Sequence, residues 1–350
     1  MAPPPLEHAR LAARAWGAHD NVRPVGDPGL INGTWCVGEP VSGILQWVNP
    51  IFAPEVQHDI HLLTQRLIDR GLVSPTVVPT LDGRLWVPGP EVEGGTGCWR
   101  MLSFIPGATC HAITSVNQAR EAARLVGRFH AALDGWNAPR HAPVRHIHDT
   151  PARIDDLRQA VHRHGGHPLF DQVAPVAQQI LDGWESWRGV TGLPDRTCHG
   201  DLKISNVRFD STGLRAVCLI DLDTVGPMEL ACELGDMWRS WCNPAGESNP
   251  DAVVFDLDIF RASAEGFLET APALTADERR ALVTATPRIC FELAARFAAD
   301  ALNNSYFRED RTTYPKPGTH NLQRARAQLR LAHLATAAAP QCAAILGVSW

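Results

Sequence analysis

The sequence predicts an α+β protein with a small β-rich lobe at residues 1–104 and a larger, mainly helical lobe at residues 105–350. Two observations lead to this expectation. Short apolar runs separated by glycine and proline dominate the first hundred residues, which is typical of strands and turns. Beyond the breaking segment Ile105–Gly107, apolar residues recur instead at helical spacing.

The first lobe is expected to hold a small sheet and one helix. The helix should begin near Pro54 and end before Gly71, because proline suits the first helical turn and glycine the position after the last. The expected strands cover residues 29–37, 44–48, 77–87 and 98–104.

The second lobe is expected to be built from helices joined by short loops. The sequence Thr275-Ala-Asp-Glu278 forms a capping box before one of them. A short apolar run at residues 216–220 predicts a buried strand that ends at Asp221. The expected helices cover residues 117–133, 151–163, 174–188, 253–270, 276–303 and 321–338.

Composition excludes several classes of function. The 350 residues carry a net charge of −6 and no basic block, which argues against a nucleic-acid partner. No apolar run reaches the roughly 18 residues of a membrane span, so no membrane association is expected. The nine cysteines form no CxxC pair, which favours reduced thiols in a cytoplasmic protein.

The chemistry is expected to reside in residues 198–225, which contain the sequence HGDLK followed by a later IDLD. Asp201 can accept a proton from a hydroxyl group, and Lys203 can meet a phosphate. Asn206 and Asp221 offer the oxygen ligands that Mg²⁺ prefers. Phosphoryl transfer requires mainly positioning and charge neutralisation, and these groups supply both.

The spacing of these residues makes the interpretation specific. Asp201 and Asn206 stand five apart on one tight loop, while Asp221 arrives at the end of a strand. A lone HGD could be a solvated turn, but the whole set predicts a kinase that uses ATP and Mg²⁺.

With these motifs, the chain resembles the aminoglycoside phosphotransferase/choline kinase superfamily and, within it, the N-acetylhexosamine 1-kinase group most closely. The resemblance implies a bilobal protein-kinase-like fold, with a nucleotide-binding N-lobe and a catalytic, acceptor-binding C-lobe. The segments that carry it are Gly29–Thr34, Ile44–Asn49, Trp99–Ile105, His148–Arg153, Ile220–Val225, Leu234–Arg239 and Gly318–Gln328.

The resemblance also implies roles for individual residues. Asp201 would be the catalytic base that meets the acceptor, and Asn206 and Asp221 would bind Mg²⁺. Arg296 and Tyr306 would help to hold a sugar. The expected nucleotide contacts are Asn32, Gly33 and Thr34 over the phosphates, Gln46 on the next strand, and the backbone of Met101, Ser103 and Phe104 around adenine.

The chain departs from this pattern at one strand. Gln46 stands where many kinases carry lysine, and Trp47 stands where the resembled group usually has arginine. The only lysines of the chain are Lys203 and Lys316. Neither Gln46 nor Trp47 can supply the positive charge that a lysine or arginine would bring to the nucleotide phosphates. Two charges about 4 Å apart interact by roughly 4 kcal/mol near a protein surface, so weaker nucleotide binding is expected.

Three further residues near the motif receive interpretations from their positions. His199 is expected to support the loop backbone. Asp236 is expected to accept hydrogen bonds from loop amides and so to order the catalytic segment. Asp223 could assist the metal if the strand continues past Asp221.

Among the tryptophans, Trp136, Trp238 and Trp241 could line a sugar-binding pocket.

The leading interpretation is a kinase that phosphorylates a sugar hydroxyl, the anomeric hydroxyl of an N-acetylhexosamine in particular. The first alternative is an aminoglycoside O-phosphotransferase, whose acceptor would be an aminocyclitol. The second is a nucleotide-binding pseudokinase, which the Gln46 and Trp47 departures suggest. Turnover separates the two enzymes from the pseudokinase, and acceptor charge separates the enzymes from each other.

Overall fold

The computed structural model describes residues 3–18, 21–26, 31–92, 95–144 and 146–350. The contacts divide the chain into two compact units. The first unit comprises Met1–Gly107, Gly135–Val144 and Cys218–Asp223. The second unit comprises Ala108–Asp134, Arg145–Val217 and Thr224–Trp350.

The first unit is built on a six-stranded sheet in which neighbouring strands run antiparallel, with strand order β1-β2-β3-β6-β4 and β5 also paired with β6. Its elements are α1 (Leu6–Ala13), β1 (Val22–Pro24), β2 (Gly33–Val37), β3 (Gly43–Val48), α2 (Val56–Asp69), β4 (Val77–Val78), β5 (Val87–Val92) and β6 (Gly95–Ser103).

The central strands β3 and β6 place apolar and polar side chains on opposite faces. Leu45 and Trp47 pack into the apolar core of this unit, together with Trp99 and Met101 from β6. Gln46, between the first two, faces the other side, and its partner across the ladder is Arg100. The strand alternation therefore brings two polar side chains together on one face.

The first unit differs from the sequence-based expectation in several details. The segment 77–87 is a strand only at Val77–Val78, because a turn at Asp82-Gly83 reverses the chain. Gly83 adopts a left-handed conformation with φ of 84°. The elements α1, β1 and β5 were not expected. Residues 29 and 30 of the first predicted strand lie outside the described residues.

The second unit is mainly helical. Its elements are β7 (Ala108–Thr109), α3 (Val116–Leu133), α4 (Thr150–Arg163), α5 (Phe170–Ser186), β8 (Asp195–Cys198), β9 (Val207–Phe209), β10 (Ala216–Leu219, which crosses into the first unit), β11 (Gly226–Glu229), α6 (Leu230–Trp241), α7 (Leu257–Thr270), α8 (Ala276–Ala281), α9 (Ala285–Asn303), α10 (Thr319–Ala337) and α11 (Ala339–Leu346).

The expected helices of this unit are confirmed, with one division. The predicted helix over 276–303 forms α8 and α9 with a 3₁₀ turn at Leu282–Thr284 between them. Pro287 in the first turn of α9 explains the break, because proline inside a continuous helix would clash with the carbonyl four residues earlier. The capping box of Thr275 and Glu278 is present.

The expected α+β class, with a sheet in the N-terminal part and a helical remainder, is confirmed. The helix α9 runs through the larger apolar core, and most of its residues are buried. Within the described residues, none of the helices combines the length and the apolar character needed to cross a membrane.

Two glycines allow α3 and α7 to pack closely. A Cβ atom at Gly266 would lie 2.5 Å from the carbonyl oxygen of Arg120, and one at Gly127 would lie 2.2 Å from Thr270 Oγ1. We expect Gly266→Ala to lower the free energy of unfolding by about 1–3 kcal/mol, because backbone atoms cannot move aside cheaply.

Urea denaturation measures this change, and Gly165→Ala is the matched control. A Cβ at Gly165 meets nothing within 4 Å. The control should change stability by less than about 0.5 kcal/mol. Equal stability of both variants would show that the helices can separate without loss.

Candidate active site

The HGDLK sequence forms a loop after β8. The backbone conformation and close packing at Gly200 require a glycine there. Gly200 has φ of 82°, and a Cβ there would lie 2.7 Å from the carbonyl oxygen of Thr224. The Thr224 hydroxyl donates to the carbonyl of His199 at 2.8 Å. Only glycine allows this approach, which fixes the direction in which the chain enters Asp201.

A buried carboxylate holds the same turn. Glu233 on α6 accepts the backbone N–H of His199 at 2.7 Å and that of Gly200 at 2.8 Å. His130 Nε2 lies 3.4 Å from Glu233 Oε1. Burial alone would raise the pKa of Glu233, but these contacts outweigh it and hold the pKa below its usual value. Glu233 therefore stays charged.

The expectation that Asp236 accepts loop amides is wrong. Asp236 accepts instead from Arg239 on its own helix, at 2.9 Å. Glu233 precedes Asp236 by three residues and occupies the position below the loop, which its backbone contacts demonstrate. The choice between two acidic residues one helical turn apart depends on the rotation of α6, which the motif does not specify.

Asp201, Lys203 and Asn206 come together on this loop. Lys203 Nζ contacts Asp201 Oδ2. Asn206 Nδ2 donates to the backbone carbonyl of Asp201 at 2.8 Å and to its Oδ2 at 3.0 Å. Since the amide nitrogen faces Asp201, the amide oxygen of Asn206 is the atom able to bind a metal.

Buried neighbours support the loop from below. His199 is fully buried, and its Nδ1 accepts the amide of Asp201 at 3.3 Å, so it acts on the loop backbone. Trp241 Nε1 donates to the carbonyl of Leu202 at 2.8 Å. Trp241 and Trp238 are both fully buried in the protein core. The suggestion that these two tryptophans line a sugar pocket is therefore wrong.

Among the described residues, His130, Cys198 and Glu233 form a cluster whose potential metal-binding atoms lie within 4.8 Å of one another. Burial raises the pKa of the Cys198 thiol well above its usual value, so the thiol stays protonated. Both oxygens of Glu233 already accept loop amides. These contacts explain the cluster as a support for the loop.

Asp236 on α6 is a second charged group that interacts with the loop. Burial would raise the pKa of Asp236, but Arg239, then His148 and also Lys203 hold it below its usual value. Asp236 is therefore a carboxylate within electrostatic range of both the loop lysine and His148. His148 belongs to the segment that precedes α4.

The two residues expected to hold a sugar also lie together. The guanidinium carbon of Arg296 on α9 sits 5.7 Å from the ring centroid of Tyr306 and 5.2 Å from that of Phe307. Asp300 accepts the backbone N–H of Tyr306 at 2.9 Å and so orders the segment. The Tyr306 side chain is exposed.

The first unit contains a buried polar network that the sequence did not reveal. The Arg100 side chain is 1% exposed and forms a two-pronged ion pair with Asp223, with N–O distances of 2.5 and 2.7 Å. Arg100 also donates to Gln46 Oε1 at 2.7 and 3.0 Å and to Gln57 Oε1 at 3.1 Å. Asp223 raises the pKa of Arg100 despite burial, so the ion pair persists.

Arg100 changes the significance of Trp47. Trp47 is fully buried on the opposite face of β3, so its side chain belongs to the core. The cation next to Gln46 comes from the neighbouring strand. The sequence does contain one indication of this polar network, since Arg100 stands inside the apolar run Cys98–Met101. A charged side chain buried in such a strand requires a partner.

Two other residues predicted to contact the nucleotide, Asn32 and Thr34, already form side-chain hydrogen bonds within the first unit. Asn32 Nδ2 donates to Asp223 Oδ2 at 2.9 Å, and Asn32 Oδ1 accepts the amide of Asn49 at 3.0 Å. Thr34 Oγ1 accepts from Gln46 Nε2 at 3.3 Å. A phosphate contact at Asn32 would therefore involve the backbone, as would one at Gly33.

The segment that the sequence predicts to bind adenine lies at the end of β6. Met101 is buried, whereas Ser103 and Phe104 are half-buried. The hydroxyl oxygen of Ser103 accepts the amide of Thr76 at 2.9 Å. The Ser103 side chain thus anchors the segment. The backbone N–H and C=O groups that are not paired in the sheet are those that could bind adenine.

Asp221 has a left-handed backbone conformation, with φ of 65°. Such a conformation is uncommon outside glycine, although aspartate tolerates it better than most residues. It directs the chain away from β10 immediately before Asp223 enters its ion pair with Arg100. Asp223 is committed to that ion pair and to Asn32.

A comparison with protein families matches residues 48–267 to the model described as the phosphotransferase enzyme family. The matched residues cover well over half of the chain and include the HGDLK loop and Asp221.

Solved structures of three kinds share the fold. An aminoglycoside phosphotransferase from Alicyclobacillus acidocaldarius matches with a TM-score of 0.61 and 16% identity, over 97% of each chain. A microcompartment-associated aminopropanol kinase matches at 0.64 and 16%, over 96% of this chain and 98% of that chain. An amicoumacin kinase in complex with AMP-PNP and Ca²⁺ matches at 0.59 and 13%, over 88% and 87%. These likenesses confirm the expected protein-kinase-like fold.

We expect Glu233→Gln to lower the free energy of unfolding by about 3 kcal/mol, because one amide oxygen and an NH₂ group cannot accept two loop amides and face His130. The pKa of Glu233 is lower in the folded state. Its contribution is therefore present above the unfolded pKa and is lost as pH falls through the folded pKa.

Urea denaturation at pH 7 and at successively lower pH measures both effects. In the variant, the stability difference from the wild type should shrink as the pH falls through the acid range. A constant difference would show that the charge of Glu233 is unimportant.

We expect Arg100→Met to cost about 3 kcal/mol of stability, because it leaves the carboxylate of Asp223 buried without its partner. Adding Asp223→Asn in the same chain should recover part of that loss, which a double-mutant cycle measures.

Arg158→Met is the control, since Arg158 pairs with Asp155 at the surface. The control should cost less than about 1 kcal/mol. Strictly additive effects of the Arg100 and Asp223 substitutions would contradict the coupling.

Proposed function

Because this chain belongs to the phosphotransferase enzyme family, we propose that it transfers a phosphoryl group from ATP to the anomeric hydroxyl of an N-acetylhexosamine. The family establishes the coarser statement: the protein is a small-molecule phosphotransferase that acts on a hydroxyl group. The identity of the acceptor, the use of ATP and Mg²⁺ and the roles of single residues belong to the proposal.

Asp201 is proposed as the base that accepts the proton of the attacking hydroxyl. The loop that carries it is held at both sides, by the Glu233 carboxylate and by the close approach of Gly200 to Thr224. A general base needs a defined position relative to the hydroxyl that it deprotonates. Lys203, in contact with Asp201, is proposed to meet the transferred phosphate.

Asn206 and Asp221 are proposed as the ligands of Mg²⁺. The donor set fits a hard cation, because it offers one amide oxygen and one carboxylate. The orientation of the Asn206 amide supports its part, since the nitrogen is engaged with Asp201. When bound, the metal would neutralise charge on the phosphates of the nucleotide.

The nucleotide contacts of the first unit remain as expected from the sequence. Asn32, Gly33 and Thr34 would lie over the phosphates, with Gln46 beside them. The backbone of Met101–Phe104, including Ser103, would bind the base. Arg100 supplies a positive charge next to Gln46, although Asp223 neutralises most of it.

The contact between Arg296 and Tyr306 is the observation that carries the choice of a sugar acceptor. The resemblance to the N-acetylhexosamine 1-kinases names these two residues, and the guanidinium lies 5.7 Å from the ring. An arginine can donate to hydroxyl and acetamide oxygens, while an aromatic face packs against the C–H groups of a sugar ring.

An aminoglycoside acceptor is the alternative. A polycationic aminocyclitol requires carboxylates that are not already neutralised. In the described part of this region, Asp236 pairs with Arg239 and Glu292 pairs with His148. We propose no nucleic-acid or membrane partner, and a cytoplasmic location consistent with nine free cysteines.

The proposal is tested by ADP release with Mg-ATP across N-acetylglucosamine, N-acetylgalactosamine, glucosamine, galactose, kanamycin and choline. Turnover of an N-acetylhexosamine that disappears when its anomeric hydroxyl is methylated supports the proposal. Turnover of kanamycin alone would instead assign the protein to the aminoglycoside enzymes.

We expect Asp201→Asn to reduce kcat by about a hundredfold or more while ATP affinity stays within about threefold, because a general base contributes roughly 10²–10⁴ to rate. Steady-state kinetics and nucleotide titration measure the two quantities. Asp195→Asn is the control, since Asp195 begins β8 on the exposed side of the same segment. Full activity in Asp201→Asn would remove Asp201 from the mechanism.

A further inference from the structure

His148 is clamped in the second unit by a buried carboxylate that the proposed mechanism does not use. His148 Nδ1 lies 2.8 Å from Glu292 Oε1, and Glu292 is fully buried on α9. Thr150 at the start of α4 donates its hydroxyl to the other oxygen, Oε2, at 2.8 Å. Both oxygens of Glu292 are therefore engaged, and the imidazole ring is fixed in one orientation.

This pairing favours a charged imidazole. Burial alone would lower the pKa of His148, but Glu292 and then Asp236 outweigh burial and Arg296, and the pKa lies above its usual value. With Nδ1 donating to Glu292, the charged ring presents a second N–H at Nε2.

The Nε2 atom of His148 is buried and has no hydrogen-bond partner among the described residues. The His148 side chain is 4% exposed. A buried donor without a partner costs free energy, so native proteins satisfy such groups with protein, water or ligand. Among the described residues, Glu292 and Arg296 on α9 and Asp236 on α6 interact electrostatically with His148.

These neighbours connect His148 to the catalytic loop. Asp236 is within electrostatic range of both His148 and Lys203, and Lys203 contacts Asp201. Arg296 interacts electrostatically with the same histidine and lies over Tyr306. The donor without a partner is thus within electrostatic range of Arg296, which is assigned to the sugar, and of Asp236, which also interacts with Lys203.

We propose that His148 Nε2–H donates a hydrogen bond to an uncharged oxygen of the acceptor, a hydroxyl or an acetamide carbonyl, and thereby selects neutral sugars. This inference rests on the proposed function, since it assigns a specificity-determining residue to the same acceptor site. The chain supplies the donor in a fixed direction, and the acceptor supplies the missing oxygen.

The charge of the donor defines the class of acceptor. An imidazolium and the Arg296 guanidinium both repel an ammonium group, whereas either can donate to oxygen. A neutral N-acetylated sugar satisfies His148, and its free amine counterpart does not. The acetyl group of the acceptor removes the positive charge that this part of the site rejects.

Two substitutions separate the two nitrogens of His148. His148→Asn keeps a donor near the Nδ1 position, so the bond to Glu292 can persist while the Nε2 donor is lost. His148→Gln places its amide nitrogen near the Nε2 position and gives up the bond to Glu292. A purely structural role would make the asparagine variant the milder of the two.

We expect His148→Asn to raise KM for N-acetylglucosamine about ten- to a hundredfold, the range for a hydrogen bond from a charged donor, with KM for ATP unchanged. His148→Gln should retain most of the affinity for the acceptor despite its lower thermal stability. Thermal unfolding of both variants is measured alongside kinetics.

The pH profile provides an independent readout. In the wild type, KM for the acceptor should rise as the pH increases through the raised pKa of His148, because Nε2 loses its proton while Nδ1–H remains on Glu292. In His148→Asn this alkaline rise should be absent.

The inference is overturned if His148→Asn leaves KM for the acceptor and its pH profile unchanged, as a buried water on Nε2 would predict.

Failure of the proposed function gives a different result, in which the wild type turns over kanamycin or choline and not an N-acetylhexosamine. The same His148 variants are then measured with the acceptor used, and a rise in KM confined to cationic acceptors would also overturn selection for neutral sugars.

Discussion

The Glu233 carboxylate is the constraint on which the active-site loop depends. A carboxylate that accepts two consecutive amides fixes the turn that they form, and burial prevents water from competing for them. Gly200 then allows the chain to pass against Thr224, and Asp201 follows directly. The position of Asp201, the proposed base, is thus set by Glu233, Gly200 and Thr224.

Two buried ion pairs among the described residues, Arg100–Asp223 and His148–Glu292, have different consequences in the two units. In the first unit, Arg100 and Asp223 neutralise each other, and Asn32 and Gln46 satisfy their remaining groups. In the second unit, Glu292 pairs with Nδ1 of His148, while Nε2 has no hydrogen-bond partner among the described residues. The first arrangement is complete within the protein, whereas in the second the proposed acceptor would supply the missing partner.

Much of the fold could be predicted from the sequence because helices and strands impose their periods on apolar residues. The HGDLK loop was predictable for a different reason, since its chemistry needs few residue types at short spacing. Arg100 was missed because its partners, Asp223 and Gln57, lie far away in sequence. Asp236 was misassigned because one helical turn separates it from Glu233 and only packing decides which carboxylate faces the loop.

The site of phosphorylation on the sugar tests the central claim most directly. Mg-ATP and N-acetylglucosamine are incubated with the protein, and the product is examined by phosphorus–proton correlation NMR. The account predicts that the phosphorus couples to the proton on the anomeric carbon, as expected for transfer to the hydroxyl that Asp201 deprotonates. Coupling to the protons at carbon 6, or to any other sugar proton without coupling to the anomeric proton, would contradict it.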